Sequence, residues 1–236
     1  MLSLTYREIQ MENRPKTAVI LAMTADGKIA DFQRNAARFG SNIDQNHLEK
    51  QISLVDGVLL GARTLRAFGT TVIVKDAELL ANRKQNNKPS QPINIVVSAS
   101  GKIADNLRFF SQPVPHWLMT TQEGTKEQTS KFEKVLTFPE IEAGKINLVE
   151  ALKRLKELGL SHLAIIGGGE LVANCLEQNL IDELWLTVCP YLLGGKTAPT
   201  PVEGMGFLSS HAQKLELLSL EQKEQEIFLH YKVLSV

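Results

Sequence analysis

Leu163–Leu176 reads LAIIGGGELVANCL. An apolar run of strand length enters three consecutive glycines and leaves them as a helical pattern. Glycines let the backbone come close to a ligand, and the free N–H groups at a helix start favour a phosphate. The spacing is not GxGxxG, and no acidic residue stands about twenty positions on to read a ribose. Two readings therefore stay open at this point: a pyrophosphate cradle, and a tight strand-to-helix turn that binds nothing. Glu170 falls in the first helical turn, where its carboxylate complements the macrodipole but would also repel a phosphate.

Working outward, Asn147–Leu158 predicts a helix capped by Asn147 with Glu150 three residues later, as in a capping box. Leu148, Ala151, Leu152, Leu155 and Leu158 share one face, and Gly159 stops the helix. Toward the N-terminus, Thr17–Met23 (TAVILAM) is a near-continuous apolar run, as expected of a strand buried on both faces of a parallel sheet. It ends in the turn Ala25-Asp26-Gly27, which delivers Asp26 and Lys28 to one end of the sheet. Gly57–Leu60 and Ile93–Val97 predict two more buried strands, and His116–Thr120 and Val135–Phe138 shorter ones. Asp44–Leu54 predicts a helix with Asp44 as its cap. Arg63-Thr64, just past Gly61, would open another helix with a guanidinium and a hydroxyl suited to a phosphate or carboxylate; a local cap and a surface cation are the plainer reading. Asp76–Pro92 is polar and predicts a long surface loop, with Ala77–Arg83 able to form a short helix.

The last quarter changes character. Glu183–Val188 alternates like a strand, and Lys214–Leu220 and Glu226–Leu234 predict two strands joined by a link too short for a parallel crossover. The expected fold is α/β: a mixed, mainly parallel sheet flanked by helices, with a C-terminal antiparallel ribbon. Residues 1–16 are expected to form an N-terminal arm, and 17–236 one domain.

Composition narrows the function classes. The 236 residues carry 26 basic and 26 acidic side chains, a net charge of zero. That argues against a protein built to grip nucleic acid or an anionic membrane. Two cysteines, no CxxC pair, no apolar leader and no membrane-length run predict a cytoplasmic chain in a reducing compartment. His47-Leu48-Glu49 supplies the HxE of a zinc deaminase, but no PCxxC follows, and neither GxSxG nor a Walker loop occurs. No metal site is expected.

Five segments in order and register, AMTADGKIA, VDGVLLGARTL, INIVVS, LAIIGGGELVANCL and LIDELWLTVCPYLLGGKTAPT, resemble the reductase (C-terminal) domain of bacterial riboflavin-biosynthesis deaminase–reductases, which has the dihydrofolate-reductase-like fold. The resemblance spans about Lys16 to Val233. It implies an NADPH-dependent oxidoreductase that reduces the ribosylamino group of 5-amino-6-(5-phosphoribosylamino)uracil, or of the diaminopyrimidine analogue, to ribitylamino. It implies that Ala22, Gly61, Arg63 and Thr64 lie near the nicotinamide and pyrophosphate, and that Gly167, Gly168, Gly169, Glu170 and Leu171 form the pyrophosphate loop. Ser98 to Ser100 would lie near the adenosine 2′-phosphate, and Ser41 would face substrate; Lys102, read from the sequence alone, is either a further cation for that phosphate or a solvated loop lysine. Asp26 and Lys28 are the expected catalytic pair; the proton that a reduced C=N bond needs at nitrogen is expected from water, or from Lys28 through water. The partners implied are a small-molecule substrate and a second copy of the chain as a homodimer.

Some substrate-side positions depart from that family. Its DDPxLT stretch is replaced by Arg66-Ala67-Phe68-Gly69-Thr70-Thr71, and the glutamate before the glycine loop by Ile166. Two further readings follow: a reductase of the same fold with another substrate, such as a pterin or a small carbonyl or imine compound, and a nucleotide-binding protein without turnover.

Overall fold

The computed structural model describes residues 13–36, 39–127 and 129–234. Most of the expected arm lies outside them, and its last residue already belongs to the first strand. In chain order the elements are β1 (Lys16–Thr24), α1 (Asn42–Leu54), β2 (Gly57–Gly61), α2 (Ala62–Phe68), α3 (Ala77–Gln85), β3 (Ile93–Val97), β4 (His116–Thr120) and β5 (Lys134–Thr137). A small hairpin, β6 (Glu140–Glu142) and β7 (Lys145–Ile146), precedes α4 (Leu148–Glu157), β8 (His162–Ile165), α5 (Gly169–Glu177) and β9 (Glu183–Cys189). The ribbon β10 (Leu215–Lys223) and β11 (Glu226–Val233) completes the fold.

Nine strands form one sheet in the order β10-β11-β9-β1-β8-β2-β3-β4-β5. From β9 to β5 every pairing is parallel, and β11 runs against both its neighbours. The chain steps outward from β2 to β5, returns through α4 to insert β8 between β1 and β2, and then places β9 on the far side of β1. This reversal opens a crevice at the carboxyl ends of the central strands, where open α/β sheets bind ligands.

The continuous apolar runs follow from this position. Val19, Leu59 and Ile165 point to one face, where they meet Leu148, Ala151, Leu152 and Leu155 of α4. Their chain neighbours Ile20, Val58 and Ala164 point to the other, against Ile52 of α1. Each fully buried aliphatic side chain stabilises by roughly 1.5–3 kcal/mol. The predicted face of α4 is therefore the observed one, and the Asn147 side chain accepts from the Glu150 N–H at 3.1 Å.

Two local expectations change. Ser41, not Asp44, caps α1: its Oγ accepts from the N–H groups of Ile43 and Asp44 at 3.0 and 3.3 Å. The motif Ser-Asn-Ile-Asp puts the short hydroxyl where the chain enters the helix and leaves Asp44 inside the first turn. The polar stretch after Asp76 takes up the short helix its sequence allowed, extended to Gln85 as α3, and only 86–92 stay a loop. Asp76 caps the helix, accepting from Glu78 and Leu79 at 2.9 Å. Its buried Arg83 donates to the carbonyls of Ser53, Val55 and Pro89 and so ties α3 to the end of α1. Among the described residues no helix is long and apolar enough to cross a membrane, and no group of three or more His, Cys, Asp or Glu is arranged to hold a metal ion.

Candidate active site

The carboxyl ends of β1, β8, β2 and β3 open into one cavity of about 970 Å³. That is near the top of the range of roughly 300–1,000 Å³ usual for small-molecule sites. Two backbone bonds set its floor. Ile166 N–H donates to Leu59 O at 3.1 Å, and Gly61 N–H donates to Gly167 O at 3.2 Å. The glycine loop and the start of α2 are thereby held side by side.

The loop needs its glycines for separate reasons. Gly167 has φ +131° and Gly168 φ +44°, backbone that L side chains rarely adopt. At Gly168 a Cβ would also sit 3.2 Å from Thr64 Oγ1. Gly168 is the N-cap of α5 and offers no side chain to its first turn. The opening N–H groups of a nine-residue helix thus adjoin the cavity without a side-chain cap, and a methyl group on the loop would crowd the cradle. Arg63 lies 3.7 Å from Glu170, with both side chains more than half exposed. Such a pair is weak, but it sets a guanidinium against the carboxylate that would otherwise face a phosphate alone.

Apart from Lys102, the residues expected on the cofactor side line this cavity: Ala22 from β1, Gly61, Arg63 and Thr64 from the β2–α2 junction, Ser98 and Ser100 from the end of β3, and Gly167 to Leu171 from the glycine loop. Ser98 is buried and fixed by its backbone, donating to Met119 O at 3.0 Å and accepting from Gly101 N–H at 3.2 Å. Lys102 lies outside the lining and pairs with Glu127 at 3.7 Å.

The expected catalytic and substrate-side residues have other tasks, and none of the three lines the cavity. The Asp26 carboxylate accepts from Thr24 Oγ1 at 2.6 Å and from the N–H groups of Leu193 and Gly194 at 3.1 and 2.6 Å. These bonds hold its pKa down to about 2 and pin the loop after β9. The Lys28 ammonium lies 3.5 Å from Ala198 O, and the Lys28 N–H donates to Thr24 Oγ1 at 2.9 Å. Ser41 is occupied as the α1 cap, and its Oγ and N–H both bond the Glu226 carboxylate, at 2.6 and 2.8 Å.

The cavity wall also carries Asp44, Arg34 and Glu203, which the sequence reading did not single out for the site. Arg34 and Glu203 join across the cavity wall at 2.7 Å. Asp44 lines the cavity from the first turn of α1, near the buried Thr187 hydroxyl of β9. Burial pushes its pKa up, the Thr187 hydroxyl opposes the rise, and the nearby Glu226 carboxylate adds to it. The Ser-x-x-Asp spacing was the available signal, because it makes the serine the cap and frees the aspartate. Ile166, at the mouth of the glycine loop, contributes an apolar wall.

Comparison with known proteins places these features in a lineage. The profile of the RibD C-terminal domain family matches residues 15–229. A 2,5-diamino-6-ribosylamino-4(3H)-pyrimidinone 5′-phosphate reductase of Archaeoglobus fulgidus is 26% identical over 86% of this chain and 93% of its own. The protein of the same name from Methanothermobacter thermautotrophicus is 24% identical over 93% and 99%. Among solved structures, a pyrimidine reductase-like protein from Corynebacterium diphtheriae superposes with a TM-score of 0.76 at 19% identity, covering 97% of this chain and 95% of that one. A Thermotoga maritima deaminase–reductase gives 0.75 at 19% identity, with 94% of this chain on 58% of that one.

Proposed function

This chain belongs to the RibD C-terminal domain family, and on that premise we propose that it is an NADPH-dependent reductase of a ribosylamino-pyrimidine phosphate. The substrate named for its relatives, 2,5-diamino-6-ribosylamino-4(3H)-pyrimidinone 5′-phosphate, is the one we assign, with the ribosylamino group reduced to ribitylamino. The observation that carries this reading is the convergence of Ala22, Gly61, Thr64, the Ser98–Ser100 turn and the glycine loop on one cavity at the strand ends.

When bound, a reduced nicotinamide supplies the hydride, and the protein supplies binding and orientation. Gly167 to Glu170 and Thr64 would hold the pyrophosphate against the start of α5. The Ser98–Ser100 turn and Arg63 favour the 2′-phosphorylated nucleotide, a hydroxyl-lined turn and a cation being suited to a phosphate. Arg66 and Lys75 line the cavity as further cations for a substrate phosphate.

Two accompanying assignments belong to the same proposal. The chain acts as a homodimer, for which β10 offers an unpaired sheet edge carrying the exposed Leu215, Leu217, Leu218 and Leu220. It works in the cytoplasm, a setting compatible with two buried cysteines that are both free. Fluorescence titration of the purified chain with NADPH and NADH tests the cofactor assignment. Saturable binding that favours NADPH is expected. Binding of neither would remove the cradle and the enzyme reading with it.

A further inference from the structure

Reducing a C=N bond places hydride on carbon and leaves an electron pair on nitrogen, which must take a proton. The cavity lining holds four carboxylates: Asp44, Glu170, Glu177 and Glu203. Three are matched by a cation, Glu170 by Arg63 at 3.7 Å, Glu177 by Lys145 at 3.2 Å and Glu203 by Arg34 at 2.7 Å. Among the described residues no cation lies against Asp44. Its surroundings are a hydroxyl, a carboxylate and a thiol: Thr187 and Cys189 from β9, and Glu226 from β11. Thr187, Cys189 and Glu226 are buried. Glu226 is fixed by two bonds from Ser41, which in turn caps the helix turn bearing Asp44.

The sheet register also sets where Asp44 stands. Thr187, whose hydroxyl faces Asp44, is paired across the ladder with Ala22, a cavity-lining residue at the end of β1. The acid therefore stands on the β9 side of β1, across that strand from β8 and the glycine loop it feeds. A group held in half-buried surroundings beside a second carboxylate, open to a cavity on one side, holds its proton to higher pH than an exposed aspartate and has somewhere to deliver it.

We propose that Asp44 is the proton donor of the reduction, an inference that rests on the reductase reading above. The imine carbon gains hydride, with both electrons coming from the reduced nicotinamide of that activity. The C=N π pair becomes the new N–H bond with the Asp44 proton. The carboxylate left behind regains its proton from water. Thr187 is a positioning residue that sets the direction of the carboxyl and limits how far its affinity for the proton rises.

The experiment uses the full chain and has two arms. The first follows carboxyl resonances of isotope-labelled aspartate by NMR during a pH titration, without substrate. One aspartate is expected to titrate above the ordinary aspartate range, to vanish in Asp44→Asn and to move further upward in Thr187→Val. The second arm measures kcat, KM and the pH profile with reduced nucleotide and the diaminopyrimidine substrate. Asp44→Asn is expected to lower kcat about 100-fold or more, to leave nucleotide affinity unchanged and to abolish the loss of rate at high pH. Thr187→Val is expected to shift that limb to higher pH. Wild-type turnover with full kcat retained in Asp44→Asn would overturn the proposal and leave the reductase reading intact. So would a Thr187→Val variant with an unmoved pH limb, which covers the case of an Asp44→Asn protein that does not fold. Absence of turnover by the wild type itself would remove the reductase reading, and this inference with it.

Discussion

Gly169→Ala separates a glycine kept for ligand approach from one kept for packing. Gly169 opens α5 with ordinary backbone angles, so alanine can adopt its conformation. The obstacle is what its Cβ would meet: Thr200 O at 2.4 Å and Glu203 Cγ at 2.7 Å. Ordinary contacts begin near 3.5 Å, so the 200–203 segment must retreat by about 1 Å. That movement strains the bond from Glu203 N–H to Gly169 O, now 3.1 Å long, and loosens the Arg34–Glu203 pair. Overpacking of this kind costs about 1–3 kcal/mol and the weakened hydrogen bond about 1 kcal/mol. Alanine returns up to about 1 kcal/mol as the better helix former. A net loss of about 1–3 kcal/mol is expected, or very roughly 2–12 °C in Tm for a chain of this size. Urea unfolding measures it, as a lower midpoint at unchanged slope. Gly61→Ala is the contrast. Its Cβ would meet nothing nearer than 3.7 Å, so stability should stay within about 0.5 kcal/mol, while nucleotide affinity falls because the methyl group enters the cavity wall. Equal stability for Gly169→Ala and wild type would refute the packing argument. Unchanged affinity in Gly61→Ala would remove Gly61 from the site.

Asp182 is buried with Arg14 in a bidentate pair at 2.7 Å and also accepts from Thr17 N–H at 2.8 Å. Asp182→Ala strands the guanidinium and should cost about 3–5 kcal/mol, read from chemical denaturation; a loss below about 1 kcal/mol would show the pair to be solvated. At Asp26, bonding from Thr24 first, then from Gly194 and Leu193, lowers the carboxyl pKa from 3.8 to about 2. A depressed folded-state pKa gives stability that is complete above the unfolded value and is lost as pH falls through the folded one. Wild type should therefore exceed Asp26→Asn in urea midpoint above pH 3.8 and converge with it toward pH 2; a pH-independent difference would contradict this.

Much of the scaffold is legible in the chain because period and burial coincide. Ala18–Met23 and Leu163–Ile165 are apolar at every position because both sheet faces are covered, and the stripe of α4 repeats at helical spacing. The glycine loop announces itself because two of its residues sit at positive φ. The substrate side is harder to read, for reasons of contact rather than pattern. Asp26 and Lys28 stand at the end of a central strand, where ligands gather, yet Asp26 is drawn to the backbone of Leu193 and Gly194, far along the chain. Asp44 looks like a helix cap until Ser41 is seen to take that role, and its altered proton affinity comes first from burial and then from Thr187 and Glu226, which distant strands bring to it. Asp76–Pro92 has a loop's composition, and its helix is secured by the carbonyls that Arg83 finds at the end of α1.

The central question is whether this cavity reduces a ribosylamino-pyrimidine. The most direct measurement mixes the purified chain with NADPH and 2,5-diamino-6-ribosylamino-4(3H)-pyrimidinone 5′-phosphate, follows loss of reduced-nicotinamide absorbance and identifies the product by mass spectrometry. One NADPH consumed per ribitylamino product is expected, with NADH a poorer donor. Tight NADPH binding without any ribitylamino product would contradict the reductase reading and leave a nucleotide-binding protein that acts on something else.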